Sequence, residues 1–371
     1  MHCDYYVAGR CRSCTIIELP HSAQVDRKFA HCTSLLPAGI TWLDPVVGPE
    51  RGFRTKAKMV AGGSVASPTL GILSPDGTGV DLAECPLYPA ELSVAFEPLK
   101  AFITLAGIEP YSVAERRGEL KNVLVSVAPS GELMVRFVLR STESLARIRK
   151  HLPWLQAQLP QLAVTSVNLL PEHRAVVEGE REILLTDGDS LTMAVNGIDL
   201  HLRPQSFFQT NTDVAAALYR QAAEWVESAR PASVWDLYCG VGGFALHVAT
   251  DGREVTGVEV SEAAVQSAHR SALALGKQAT FIAADATEWA IAQPAAPDLV
   301  IVNPPRRGIG NALADWLEAS GVRTVVYSSC NSETLATDLA RMPSLRPVEG
   351  RLLDMFPHTD HYEVAVLLTR E

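Results

Sequence analysis

The chain has 371 residues, 47% hydrophobic and 20% charged, the balance of a globular protein with room for two cores. No apolar run reaches the roughly 18 residues that span a bilayer, and the polar start is unlike a signal peptide. A cytoplasmic protein with no membrane partner is therefore expected. The net charge of −10 is awkward for a nucleic-acid binder, so the distribution of charge matters more than its sum.

Three thiols crowd the N-terminus, at Cys3, Cys11 and Cys14, and Glu84-Cys85-Pro86 offers a fourth. Seven cysteines in a chain of this kind point to metal or catalytic use rather than to a disulfide framework. Four thiolates suit zinc or an iron–sulfur cluster, and a Cys followed by Pro favours iron. Either would tie the N-terminal segment to the first domain. Residues 22–36 read as a helix with Val25, Phe29, Cys32 and Leu36 on one stripe, which makes Cys32 a core residue. From Lys56 to about Leu200, short alternating runs broken by Gly, Pro and Asp are interrupted by helical stretches at 92–106 and 145–159. That is an α+β domain. Basic residues gather here, at Arg51, Arg54, Lys56 and Lys58, at Arg116, Arg117 and Lys121, and at Arg147, Arg149 and Lys150, so a basic face is possible.

After residue 212 the tempo changes to alternating helices and strands: helix 213–229, strand 233–239, strand 254–260, helix 262–275, and strands 280–284, 299–303 and 324–329. This is a doubly wound α/β sheet. Two final strands joined by a short loop predict an antiparallel strand at the sheet edge, a feature of methyltransferase sheets. The division expected is residues 1–200, an α+β recognition domain bearing the thiol cluster, and residues 201–371, a Rossmann-like α/β methyltransferase domain.

Asp236-Leu-Tyr238-Cys239-Gly240-Val-Gly242-Gly243 is a strand, a glycine loop and a helix start, which lets a ligand approach the backbone closely. Glu259, about 20 residues on, is placed to accept ribose hydroxyls. The loop spacing and the preceding Asp236 favour S-adenosylmethionine over a dinucleotide. Asp285 after the third strand can meet an adenine edge, and Cys239 reads as a small buried filler. Gln209, in Arg203-Pro-Gln-Ser-Phe207-Phe208-Gln209-Thr-Asn211, can hydrogen-bond cofactor or base. One of its two Phe neighbours belongs to the core and the other can stack.

Asn303-Pro304-Pro305-Arg306 leaves the fourth strand in a rigid turn whose amide matches the O4/N3–H edge of uracil. Amino methyltransferases have an aromatic after these prolines, so Arg306 disfavours amino methylation. Cys330 ends the next strand. The C5 carbon of uracil is too poor a nucleophile to take a sulfonium methyl unaided, but thiolate addition at C6 creates an enolate that can. A base must then remove the C5 proton. Glu363 is the candidate and His361 the second choice.

Across the whole chain, motifs such as Gly52-Phe-Arg-Thr-Lys-Ala-Lys-Met59, Glu84-Cys-Pro-Leu-Tyr-Pro89, Tyr327-Ser-Ser-Cys-Asn331 and Asp354-Met-Phe-Pro-His358 with His361-Tyr-Glu363 follow in order. In these the sequence resembles the RNA uracil-C5 methyltransferase family, in particular its 23S rRNA enzymes. The resemblance implies a [4Fe-4S] cluster on Cys3, Cys11, Cys14 and Cys85. It implies S-adenosylmethionine contacts at Gln209, Tyr238, Gly243, Glu259, Asp285 and Asn303, with Cys330 as nucleophile and Glu363 as base. It implies 5-methyluridine in a 23S rRNA loop as product, and a monomer is expected. The N-terminal OB-type domain of related rRNA enzymes is expected to be absent. Many relatives have Asp where Asn303 stands, and tRNA-specific relatives lack the cluster cysteines. The competing expectations are an iron–sulfur redox protein with a nucleotide-binding half, a non-catalytic RNA binder, and the same chemistry on tRNA.

Overall fold

In the computed structural model, residues 1–174 and 176–370 are described. Among them no helix is long and apolar enough to cross a membrane. An eight-stranded sheet runs in the order Thr41–Trp42, Leu345–Leu353, Glu363–Arg370, Thr324–Ser329, Leu299–Val302, Ser233–Leu237, Glu254–Glu259, Thr280–Ala283. The five strands from Thr324–Ser329 to Thr280–Ala283 pair parallel. Buried on both faces, Leu299–Val302 carries four apolar residues without alternation.

Glu363–Arg370 pairs antiparallel with both of its neighbours. It is thus not at the edge, as the sequence had suggested, but two places in. Leu345–Leu353 lies outside it, and Thr41–Trp42 pairs parallel at the rim. The burial of the two C-terminal strands gives the reason. Val364, Ala365, Val366 and Leu368 are buried and need cover, whereas Leu345–Leu353 alternates with exposed positions as an outer strand does.

The second sheet has seven strands in the order Gly79–Asp81, Pro68–Leu73, Lys56–Gly63, Leu120–Val127, Leu133–Leu139, Leu162–Leu169, Arg181–Leu184. One core joins it to helices Phe96–Leu105 and Leu145–Gln158 through Leu99, Phe102, Ile148, Leu155 and Phe137. The expected helix at 92–106 is two, Ala90–Ser93 and Phe96–Leu105. Pro98 has no N–H to return to Val94, so one continuous helix through that turn is blocked.

Packing crosses residue 200 in both directions. Cys32, Leu36 and Ile40, from helix His21–Leu35 and the segment after it, are buried against Leu237, Val258, Val300 and Tyr327 of the large sheet. A hairpin, Leu191–Val195 with Ile198–Leu202, packs on Val214 and Leu218 of helix Thr212–Ala229. Met134 and Val164 of the second sheet join that same core, so the two sheets share a packed boundary.

The basic runs are partly spoken for. Lys121 is buried, donates to the Glu172 carbonyl (2.6 Å) and lies over the Tyr111 ring, and Arg147 pairs with Glu143. Arg136, fully inside the second sheet, is gripped by Glu182 (2.7 Å) and Glu178 (2.5 Å). Substituting Arg136→Met strands two carboxylates without their cation. We expect a loss of about 3–5 kcal/mol, read as a lowered midpoint in urea denaturation, with the Glu178→Gln, Glu182→Gln double change partly restoring it.

Candidate active site

The carboxyl ends of the parallel strands meet at one opening. Strand Ser233–Leu237 stops short of Cys239 because Tyr238 turns into the left-handed region at φ 67°, followed by Gly240 at 55° and Gly242 at 84°. Asp236, buried under this turn, accepts the Ala245 N–H (2.9 Å) and pins the loop to the next helix. Burial pushes its carboxyl up to about 7. A Cβ on Gly243 would fall 2.6 Å from the Tyr219 hydroxyl, so only glycine fits this close approach. Glu259 accepts N–H groups of Gly240 (3.1 Å) and Ser261 (2.9 Å), one at each oxygen, which fixes its carboxylate toward the opening while lone pairs remain. Asp285 caps helix Ala286–Ala292 with Oδ1, accepting from Thr287 and Glu288.

These elements enclose a cavity of about 590 Å³. Its walls include Gln209, Tyr238, Gly243, Glu259, Asp285, Asn303, Cys330 and Glu363, every site residue the sequence singled out in this half except the second-choice base His361. Of the two aromatics beside Gln209, Phe208 is 5% exposed and belongs to the core, and Phe207 is 68% exposed at the cavity wall. Cys239 is buried.

Cys330 and Glu363 meet because of strand direction. Thr324–Ser329 runs toward the opening and ends there, while Glu363 begins the antiparallel neighbour, with Ser329 paired to Val364. Ser328 donates to Glu363 Oε1 at 2.6 Å. Glu363 is fully buried, and that burial pushes its carboxyl up to about 7 against the pull of the Ser328 hydrogen bond. Burial also raises the Cys330 thiol, and the Glu363 charge adds to this, while the charge and hydrogen bond of Arg306 oppose both. His361 lies outside the main cavity. It sits against Arg306 (2.9 Å) in a neighbouring cavity of about 310 Å³, which also reaches Cys330.

Sequence reasoning missed the part of four residues. Arg306 was read as a mark against amino methylation, yet it is the cation beside the thiol. Ser328, two residues before Cys330, entered the sequence reading only as part of the motif Tyr327–Asn331. Tyr219 lines the cavity from a helix with no motif to announce it, and Phe356, inside the motif Asp354–His358, was assigned no role.

At the other end of the molecule, Cys3, Cys11, Cys14 and Cys85 line one cavity of about 140 Å³ with Arg54, Tyr5 and Tyr88. Burial pushes the Cys14 thiol up to about 12 and the Cys85 thiol up to about 11, and in each case other cysteines of the set add to the effect. Four thiolates there would need a cation. Among the described residues, no three ligating side chains are grouped tightly enough to hold a metal ion as they stand.

The fold and cavity define a Rossmann-like methyltransferase. The profile of the tRNA (Uracil-5-)-methyltransferase family matches residues 293–371, and a general methyltransferase domain matches residues 234–321. The chain is 52% identical to the 23S rRNA (uracil(747)-C(5))-methyltransferase RlmC of Edwardsiella ictaluri (strain 93-146), over 100% of this chain and 99% of that one. It is 51% identical to the enzyme of the same name from Serratia proteamaculans (strain 568), over the whole of both. Among solved structures, the Pyrococcus abyssi tRNA (uracil-54, C5)-methyltransferase in complex with S-adenosyl-L-homocysteine is similar at a TM-score of 0.80 and 26% identity, covering 96% of this chain and 85% of that one. The chain belongs to the RNA uracil-C5-methyltransferase family, alongside the 23S rRNA enzymes named RlmC.

The raised carboxyl of Glu363 has a thermodynamic consequence. A buried acid whose folded-state pKa is about 7, above its ordinary 4.5, contributes stability that is full below the lower value and is lost as pH rises through the upper. Glu363→Gln cannot ionise. Its thermal midpoint should therefore gain on the wild type steadily between about pH 5 and about pH 8; a constant difference across that range would contradict the buried-acid assignment.

Proposed function

We propose that the protein methylates C5 of a uridine in a loop of 23S ribosomal RNA, using S-adenosylmethionine and a covalent thiol adduct. One observation carries the reading: Cys330 and Glu363 line the same cavity as the Tyr238–Gly243 loop, Glu259 and Asn303. The relatives' shared 23S specificity over full length favours rRNA over tRNA, although the structural relative acts on tRNA.

S-Adenosylmethionine would supply an electrophilic methyl group. Its ribose suits Glu259, its adenine edge suits Asp285, and the close backbone at Gly243 with Gln209, Tyr238 and Asn303 suits the remainder. Phe207 offers an exposed ring on which an unpaired base can stack. The base must leave its helix or loop stack to be reached from its face.

The chemistry falls to Cys330 and Glu363. The thiolate adds to C6, and the C5=C6 electrons pass to O4 as an enolate. C5 of the enolate takes the methyl group as that group's bond to the sulfonium sulfur breaks, leaving the thioether, and C4=O4 re-forms. Glu363 then accepts the C5 proton, those C–H electrons re-form C5=C6, and the C6–Sγ bond breaks to return the thiolate. A Glu363 pKa of about 7 serves both halves. While protonated it no longer opposes the thiolate, and while ionised it can take a proton near neutral pH. Arg306 stabilises the thiolate in the first step.

We read the four N-terminal thiols as the seat of a [4Fe-4S] cluster with a structural role. They surround a void rather than meeting at a point, which suits a four-iron body better than one zinc ion. With anaerobically purified protein, Cys14→Ser and Cys85→Ser should lower bound iron and the thermal midpoint. Cys330→Ala should leave both unchanged; zinc at one equivalent without iron would overturn this reading.

Mass-spectrometric mapping of unmodified 23S rRNA after incubation with the protein and S-adenosylmethionine tests the function. One or a few new 5-methyluridines in loops are expected; methylation of tRNA alone would redirect the substrate. Cys330→Ala should lose turnover and the covalent complex with 5-fluorouridine RNA. Glu363→Gln should form a methylated adduct and release it on the order of 10²–10⁴-fold more slowly. Normal turnover by Cys330→Ala would sink the mechanism.

A further inference from the structure

Helix His21–Leu35 does more than cover the large sheet. His21, Gln24, Lys28 and His31 recur at helical spacing and so share one face. All four bond the segment between strands Leu345–Leu353 and Glu363–Arg370. His21 Nε2 meets Asp354 Oδ2 at 2.7 Å, and Lys28 Nζ donates to Asp354 Oδ1 at 2.5 Å and to the Phe356 carbonyl at 3.0 Å. Gln24 Oε1 accepts the His358 N–H at 2.8 Å, and His31 Nδ1 meets the Tyr362 hydroxyl at 2.8 Å. Lys28 is 1% exposed and Asp354 0%.

A buried ion pair is a poor choice for simple adhesion, because desolvation offsets its attraction and apolar residues of similar size hold as well. What such a pair adds is a single allowed geometry. The loop it grips is also held in an unfavoured shape: His358 sits at φ 68°, a left-handed conformation costly for a residue with a Cβ. At one end the loop places Phe356 in the wall of the main cavity, and at the other it brings Tyr362 into the neighbouring cavity and Glu363 into the main one, both of which reach Cys330.

We propose that Lys28, acting with Asp354, is a positioning residue for Glu363, so that the N-terminal helix sets the rate at which the covalent adduct is resolved. This rests on the reading of Glu363 as the base that accepts the C5 proton while C5=C6 re-forms and the C6–Sγ bond breaks. Thiol addition depends on Cys330 and Arg306; Lys28 touches neither, and the gripped loop reaches Arg306 only through His361. Loss of the clamp therefore burdens the later step. A displacement of about 1 Å at a reacting group costs on the order of 10²-fold in rate.

The experiment is single-turnover reaction of the full chain with an unmodified stem-loop transcript of 23S rRNA and S-adenosylmethionine, following the covalent protein–RNA complex on denaturing gels. Lys28→Met should form the complex at near wild-type rate and release it at least roughly tenfold more slowly, with KM for S-adenosylmethionine unchanged. Equal slowing of formation and release, or normal release, overturns the proposal. The double change Lys28→Met, Asp354→Leu replaces the pair by apolar residues and should restore thermal stability without restoring release. Recovery of release together with stability would reduce Lys28 to a structural role. Glu363→Gln runs alongside: if it accumulates no methylated complex, the base assignment itself fails, whatever Lys28 does.

Discussion

The direction of one strand governs this site. In a doubly wound sheet the parallel strands present their carboxyl ends, and so their reactive side chains, to one edge. A parallel neighbour of Thr324–Ser329 would bring only another chain end to that edge. Glu363–Arg370 is antiparallel, so it starts where Thr324–Ser329 stops, and the register Ser329 to Val364 sets its first residue beside Cys330. The sheet ladder sets the register of the acid, and the loop before it sets where the strand begins. The Ser328 hydroxyl, reaching across the ladder to Glu363, removes much of its remaining freedom.

That placement creates an electrostatic conflict which the proposed chemistry would use. A thiolate and a carboxylate side by side in a buried pocket each penalise the other's charge. Arg306 relieves the thiolate but lies outside the sheet, leaving Glu363 with a hydroxyl as its partner. The outcome is two groups whose charged forms are favoured at different stages. In the proposed reaction, addition would be easier while the carboxyl is neutral, and elimination would require it charged. Burial alone would make Glu363 inert, and full exposure would make it a weak base with a low pKa. The single hydroxyl contact keeps it between these limits.

Much of this was legible in the sequence because the relevant physics is local. Asn303-Pro-Pro, the glycine loop after Asp236, and a cysteine ending a buried strand each declare their position through turn geometry and hydrophobic pattern, and all of them reach the cavity. What stayed illegible depends on pairing across long separations. Whether Glu363–Arg370 lies at the rim or inside it turns on which of two apolar strands needs cover on both faces, and only the continuous burial of Val364 to Val366 settles that. The two phenylalanines at 207 and 208 are adjacent and alike, so their opposite fates follow from backbone direction alone. Arg306 was visible as a residue, but its partner lies on another strand.

The least legible feature is helix His21–Leu35. Its stripe of Val25, Cys32 and Leu36 reads correctly as a core face, but Gln24 and Lys28 look like solvent positions until residues more than three hundred places later cover them. Their burial changes what the N-terminal region is for. A segment that begins with the cysteine set and packs its helix against the large sheet is continuous with the catalytic machinery: Ile16 N–H donates to His358 O at 3.0 Å, immediately before the clamp residues take hold. The packing therefore does not stop at the boundary between the two halves of the sequence. The chain folds back so that its beginning fixes the loop from which its last strand, and Glu363 with it, departs.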